Sequence, residues 1–196
     1  MSIVYSVVKR FDPACGERWQ DFINWSGLTQ LREIVSLDII LCPTVIRELT
    51  DEDWRHNLQE EFKITLFRDL DYLLRRAGDL GQVNVLALIQ NPAPDELQLF
   101  SDRRFHFRGF DLVESQTGIS VLVNCGGFDK AFAGSDLSEC GLLIHYADAL
   151  RVQKRLPEEY PSEPHANCDL WAIWQLSEPK EQGATDVKDN QYVLPR

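Results

Sequence analysis

Leu170-Trp171-Ala172-Ile173-Trp174-Gln175-Leu176 is the stretch that decides the fold. In a strand, successive side chains alternate between faces, so Trp171 and Ile173 point one way and Ala172 and Trp174 the other. A large indole on each face fits a central strand covered on both sides, the favoured reading, or an edge strand with one Trp available to a partner.

Neighbouring strands are readable upstream. Ile3 to Val8 is β-branched, Ser36 to Cys42 is a second apolar run stopped by Pro43, and Val83 to Ile89 is a third, ended by Asn91-Pro92-Ala93-Pro94. Phe105 to Glu114 and Ile119 to Cys125 predict a hairpin around Ser115-Gln116-Thr117-Gly118, with Gly109 marking a bulge. Helices fall between them. Asp12-Pro13 starts one, with Cys15, Trp19, Phe22 and Ile23 on a single face and Gly27 at its end. Thr50 caps the next, with Asp53 at the capping-box position and Leu49 and Trp54 at the staple positions. Phe62, Leu66, Phe67, Leu70, Leu73 and Leu74 form a helical stripe closed by Gly78. Leu142 to Leu156 predicts a last helix with Tyr146, Leu150 and Leu156 inward.

The order β-α-β-α-β-β-β-α-β predicts an α+β fold: a mixed or antiparallel sheet of about six strands packed with three to four helices. Residues 1–176 are expected to form a single domain, with 177–196 a polar C-terminal tail lacking periodicity.

Composition narrows the function classes. The chain has 196 residues, 44% hydrophobic and 26% charged, which is ordinary for a globular domain. Its net charge of −11 opposes nucleic acid and anionic membranes as partners and favours a basic protein. The five cysteines, Cys15, Cys42, Cys125, Cys140 and Cys168, are widely spaced without a C-x-x-C pair. That pattern fits free thiols in a reducing, cytoplasmic setting. The first residues read as a strand and not as a signal peptide, and no apolar run reaches the length of a membrane span.

Four groups of residues carry possible chemistry. Cys125, in Asn124-Cys125-Gly126-Gly127, would be a nucleophile near backbone N–H donors, with His145 as its base and Asp148 orienting the imidazole. His56 with Glu60, and His165 with Cys168 and Asp169, have ligand-like spacings but too few ligands for zinc, so neither metal nor cofactor is expected. The basic and aromatic run Arg103-Arg104-Phe105-His106-Phe107-Arg108-Gly109-Phe110 partly resembles the base-stacking motif of RNA-binding sheets; Asp111 and Leu112 break the pattern. Finally, Asp51, Glu52, Asp53, Glu60 and Glu61 would present carboxylates from a helix to a basic partner.

The leading expectation is a non-enzymatic, inhibitor-like or immunity-like domain that binds a basic protein through those acids. A cysteine- or metal-dependent hydrolase and an aromatic-lined small-molecule-binding module are the alternatives.

Overall fold

A computed structural model describes residues 2–10, 17–27, 33–46, 50–56, 63–78, 80–114, 116–123 and 127–177. Five strands run in the order β1 (Val4–Lys9), β2 (Val83–Gln90), β3 (Phe105–Glu114), β4 (Ile119–Ser120) and β5 (Asp169–Leu176). Among the described residues, five α-helices accompany them: α1 (Glu17–Ser26), α2 (Asp51–His56), α3 (Leu70–Ala77), α4 (Pro94–Leu99) and α5 (Tyr146–Glu159). The fold is α+β, and every strand pair is antiparallel.

The sheet order is β1-β2-β5-β3-β4, so the tryptophan-bearing strand β5 is central. Trp171 and Trp174 are both buried, one on each face. Trp174 stacks on Phe100 at 4.5 Å between ring centroids and meets Phe107 edge-on at 5.1 Å. Phe110 and Asp111 are consecutive in β3 and point to opposite faces. Tyr146 of α5 packs on Phe110, whereas Ser36 and Leu37 bond to Asp111. Helix α5 therefore covers one face, and the segment 33–42 covers the other.

That segment was expected to be a strand from Ser36 to Cys42. It is buried at Ser36, Leu37, Asp38 and Cys42, exposed at Ile40, and irregular, because Asp38 satisfies its backbone locally. Asp38 Oδ1 accepts from the N–H groups of Ile40 and Leu41, both at 2.9 Å, and Cys42 N–H donates to the Asp38 carbonyl. A side-chain acceptor in mid-run offers the backbone an alternative to a ladder. The sheet thus has five strands where about six were expected.

The segment is held from below by a buried carboxylate. Asp111 is wholly buried and accepts four hydrogen bonds: from Ser36 Oγ (2.6 Å), Leu37 N (3.0 Å), Ser120 Oγ (2.5 Å) and Leu112 N (2.8 Å). Each serine in turn accepts a backbone N–H, from Asp38 and Leu122 respectively. This brace joins β3, the turn after β4 and the covering segment.

Beside β1, on the side away from β2, lie two short pieces of chain. Tyr5 and Phe67 exchange both backbone hydrogen bonds at 2.8 Å. Lys9 N–H donates to the Pro43 carbonyl, and Val45 N–H donates to the Val7 carbonyl. This pairing explains a second departure from expectation. The stripe from Phe62 to Leu74 is helical only from Leu70, because Phe67 is extended against Tyr5 and Asp69 caps the helix by accepting from Tyr72 N at 2.8 Å. Phe62 lies outside the described residues.

The other helices also shift. Helix α1 buries Phe22 and stops at Gly27, where φ is 65°; Cys15, Asp12, Pro13 and the side chain of Trp19 lie outside the described residues. The last helix starts at Tyr146 and buries Ala149, Val152 and Leu156, so Leu150, expected inward, is exposed. Helix α4 was not anticipated; Pro94 opens it, and Glu96 accepts from the Ala93 N–H at 2.9 Å. The second hairpin arm is only Ile119–Ser120, since Ser120 turns inward to Asp111. Of the tail, Ser177 is bonded to the Arg104 carbonyl; residues 178–196 lie outside the described residues.

The cap of α2 follows the sequence closely. Thr50 Oγ1 accepts from Asp53 N at 3.2 Å, and Thr50 N donates to Asp53 Oδ2 at 2.7 Å. Leu49 and the Trp54 side chain are outside the described residues. Thr50→Ala is expected to destabilise the fold by about 1–2 kcal/mol. Urea unfolding followed by circular dichroism checks this, and an unchanged midpoint would contradict it.

Candidate functional site

The cysteine constellation lies partly outside the described residues. Cys125 and its neighbours Asn124 and Gly126 lie outside them. His145 is exposed at the N-terminal end of α5, where its carbonyl accepts from Ala149 N. Asp148 accepts from Arg151 Nη2 at 2.8 Å instead of orienting an imidazole. Two thiols that are described are poor nucleophiles. Burial pushes Cys42 well above the ordinary thiol range, and burial, reinforced by Asp111, pushes Cys168 up to about 12.

The ligand-like pairs remain pairs. The His56 ring stacks on Tyr72 at 4.2 Å, and its expected partner Glu60 lies outside the described residues. His165 Nδ1 lies 3.3 Å from Thr117 Oγ1, and Asp169 accepts from Gln90 and Asn91. Among the described residues, no group of three His, Cys, Asp or Glu side chains is placed to hold a metal.

The acidic helix needs one correction. Asp51 and Glu52 are exposed, as expected, and Glu61 like Glu60 lies outside the described residues. Asp53, expected to face water, is 0% exposed. Tyr72 Oη donates to its Oδ1 at 2.5 Å, Arg76 Nε pairs with the same oxygen at 3.1 Å, and Thr50 completes the set. Burial alone would raise the Asp53 carboxyl, but the bonds from Tyr72, Thr50 and Arg76 outweigh it and hold the group well below the usual carboxylate range. The same contact, after burial, pushes Tyr72 up to about 12. Asp53 is therefore the staple between α2 and α3. Its contribution to stability is present at neutral pH and lost as pH falls through its depressed value.

The aromatic run of β3 packs inward. Phe105 and Phe110 are buried, and Phe107 is half-buried between Phe110 and Trp174. Those rings are engaged by the core, which is what an aromatic face of a covered sheet requires.

A different group converges, on the face covered by the segment 33–42. Asn84 of β2 and Gln175 of β5 are nearly wholly buried polar side chains. Gln175 Nε2 donates to Asn84 Oδ1 at 2.7 Å and to Glu33 Oε2 at 3.2 Å. Asn84 Nδ2 donates to Glu33 Oε1 at 2.7 Å. Arg10, just after β1, bonds to Asn84 Oδ1 at 3.3 Å and pairs with Glu33 Oε1 at 3.2 Å. At the other side, Arg108 Nε donates to Gln175 Oε1 at 2.6 Å. The result is a polar row across three strands and the residue that follows β1, with a guanidinium at each end and one carboxylate over its middle.

The bulge places Arg108 in this row. Register slips between Phe107 and Gly109, and the φ of Gly109 is 138°. A bulge re-aims the side chain beside it, and here Arg108 comes over Gln175. Among the described residues, its outer nitrogens Nη1 and Nη2 have no hydrogen-bond partner, and Arg108 is half-buried. His106, which pairs with Gln175 in register, is exposed next to it. The sequence held one signal for this site: a glycine after an arginine in an otherwise continuous strand. Asn84 and Gln175 carry no such mark, because a polar residue in a strand reads as solvent-facing.

Among the described residues, no helix is long and apolar enough to cross a membrane. The chain matches no family model, no curated protein and no solved structure.

Proposed function

We propose that this domain binds an anionic ligand at the Arg108 end of the polar row. The observation that supports the reading is the guanidinium of Arg108, held through Nε by Gln175, whose register partner His106 is exposed. A guanidinium oriented through one nitrogen offers its remaining donors to a carboxylate or phosphate in a fixed fork. In a chain of net charge −11, such a cationic rim stands out against its surroundings and selects anions locally. No catalytic step is part of this reading; the row binds and orients.

The test is calorimetric titration of the full chain with a panel of small carboxylates and phosphates. Arg108→Ala is expected to weaken the tightest of them at least tenfold, about 1.4 kcal/mol, with far-UV circular dichroism unchanged. If no member of the panel binds, or if Arg108→Ala binds as well as the parent chain, the reading is wrong.

A second reading, a basic protein partner, is favoured by Asp51 and Glu52, which stay exposed while Asp53 anchors their helix from beneath. Charge reversal of both to Lys separates the two. It would slow association with a cationic protein in a salt-dependent manner and leave anion binding at Arg108 intact.

A further inference from the structure

Glu33 stands in a cradle that has the chemistry of a carboxylate receptor. Its segment is neither helix nor strand, so its side chain is held by what bonds to it. Three side chains from three different places meet its two oxygens: Asn84 donates to Oε1, Gln175 donates to Oε2, and Arg10 forms an ion pair with Oε1. The donors are themselves oriented. Gln175 Oε1 is taken by Arg108, so its amide nitrogen must face Asn84 and Glu33. Asn84 Oδ1 is taken by Gln175 and Arg10, so its amide nitrogen must face Glu33 as well. Pre-oriented donors on rigid strands are what a selective binding site needs. Asn84 and Gln175 are buried, while Glu33 (21% exposed) and Arg10 (29% exposed) lie at the rim, where a solute has access.

We infer that Arg10, Asn84 and Gln175 form a carboxylate-binding site occupied by the chain's own Glu33, which an incoming ligand carboxylate displaces. The displacement step rests on the anion-binding reading above; the selectivity of the cradle does not. The exchange swaps one carboxylate for another, so no buried donor is left unpaired and the cost of opening is small. Arg108, one residue further along the row, would receive the ligand first and hold Gln175 in its donating orientation.

The experiment uses the full-length chain carrying Glu33→Ala and follows thermal unfolding in sodium acetate, sodium formate, sodium phosphate and sodium chloride at matched ionic strength. The variant is expected to melt about 4 °C below the parent chain. Measured as the gap to the parent chain in the same salt, so that binding at Arg108 cancels, acetate and formate should restore at least half of that loss in a saturable way; phosphate and chloride should leave the gap unchanged. Adding Asn84→Asp to the variant should abolish the restoration by placing a negative charge where a donor stood. Glu33→Gln keeps the volume and fills the cradle with an amide, so it should melt lower than the parent and ignore acetate. If Glu33→Ala does not fold in plain buffer, its refolding yield is read instead, and acetate must raise it above chloride. Equal responses to acetate and chloride, restoration that survives Asn84→Asp, or a Glu33→Ala chain as stable as the parent would each overturn the inference. The two readings fail separately. Loss of the Arg108 effect on ligand binding with acetate rescue intact removes the proposed function and leaves the cradle; the reverse outcome removes the cradle alone.

Discussion

Asp111→Ala is expected to lower the unfolding free energy by about 4 kcal/mol. The carboxylate accepts from Ser36, Leu37, Ser120 and Leu112, and alanine leaves all four donors in a site that is closed to water. Each orphaned donor costs about 1–3 kcal/mol, only part of which relaxation recovers. The sign of the pH effect is distinctive. Burial raises the Asp111 carboxyl above its ordinary value, against the bonds from Ser120, Ser36 and Leu37 that lower it. A carboxyl raised in the fold contributes stability below its unfolded value, and that contribution is lost as pH rises through the folded one. Asp53, which is depressed, behaves in the opposite sense. Urea midpoints for the parent and Asp111→Ala chains between pH 3 and pH 8, a span on the order of the carboxylate range, check both points. A loss under about 1 kcal/mol at neutral pH would show that the covering segment does not depend on this brace.

Gly109→Ala is expected to cost about 3 kcal/mol. A methyl group at this position would lie 2.6 Å from the Leu143 carbonyl oxygen and 2.8 Å from Leu142 Cβ. The first contact is with backbone that is itself tied down, since Phe110 and Leu143 exchange hydrogen bonds at 2.7 and 3.1 Å. At φ 138° an L-residue is strained whatever the space. The consequence reaches the site: Arg108 sits within the bulge, so a change of register between Phe107 and Gly109 alters its reach to Gln175. The variant should therefore lose anion affinity by more than its loss of stability explains. Calorimetry at a temperature where the variant is still folded separates the two effects. A Gly109→Ala chain that is as stable as the parent and binds as well would show that the bulge is not required.

Much of the architecture was legible, for definable reasons. The central place of β5 was the favoured of the two readings that indoles on both faces allow, and the limits of β1, β2 and β3 followed from composition and from Pro and Gly punctuation. The bulge at Gly109 and the cap at Thr50 were readable because each depends on one residue and its immediate neighbours. What failed depended on distant partners. Ser36 to Cys42 has the composition of a strand, but Asp38 diverts its backbone and Asp111, more than 70 residues away, captures its polar groups. Leu66 and Phe67 continue a helical stripe in sequence, yet Tyr5 claims Phe67 for an extended pairing. Asp53 illustrates both cases at once: its capping role is local and was foreseen, whereas Tyr72 and Arg76, which bury it, arrive from another helix. The polar row was invisible for the same reason, since Arg10, Glu33, Asn84, Arg108 and Gln175 are spread over most of the chain.

The short pieces of chain lying along β1 have a consequence for behaviour at high concentration. A strand at the rim of a sheet is a template on which another molecule can add its own strand, and such addition is the first step of fibrous aggregation. In β1 the outward carbonyls of Tyr5 and Val7 and the outward N–H groups of Tyr5 and Lys9 are already engaged by Pro43, Val45 and Phe67. At the opposite rim β4 covers Val113 and Glu114 of β3, Val121 N–H donates to the Leu112 carbonyl, and Phe110 exchanges both of its bonds with Leu143. The β1 margin is therefore blunted, and an assault on the 43–45 segment, by proteolysis or by substitution, would open it to strand addition before it unfolds the core.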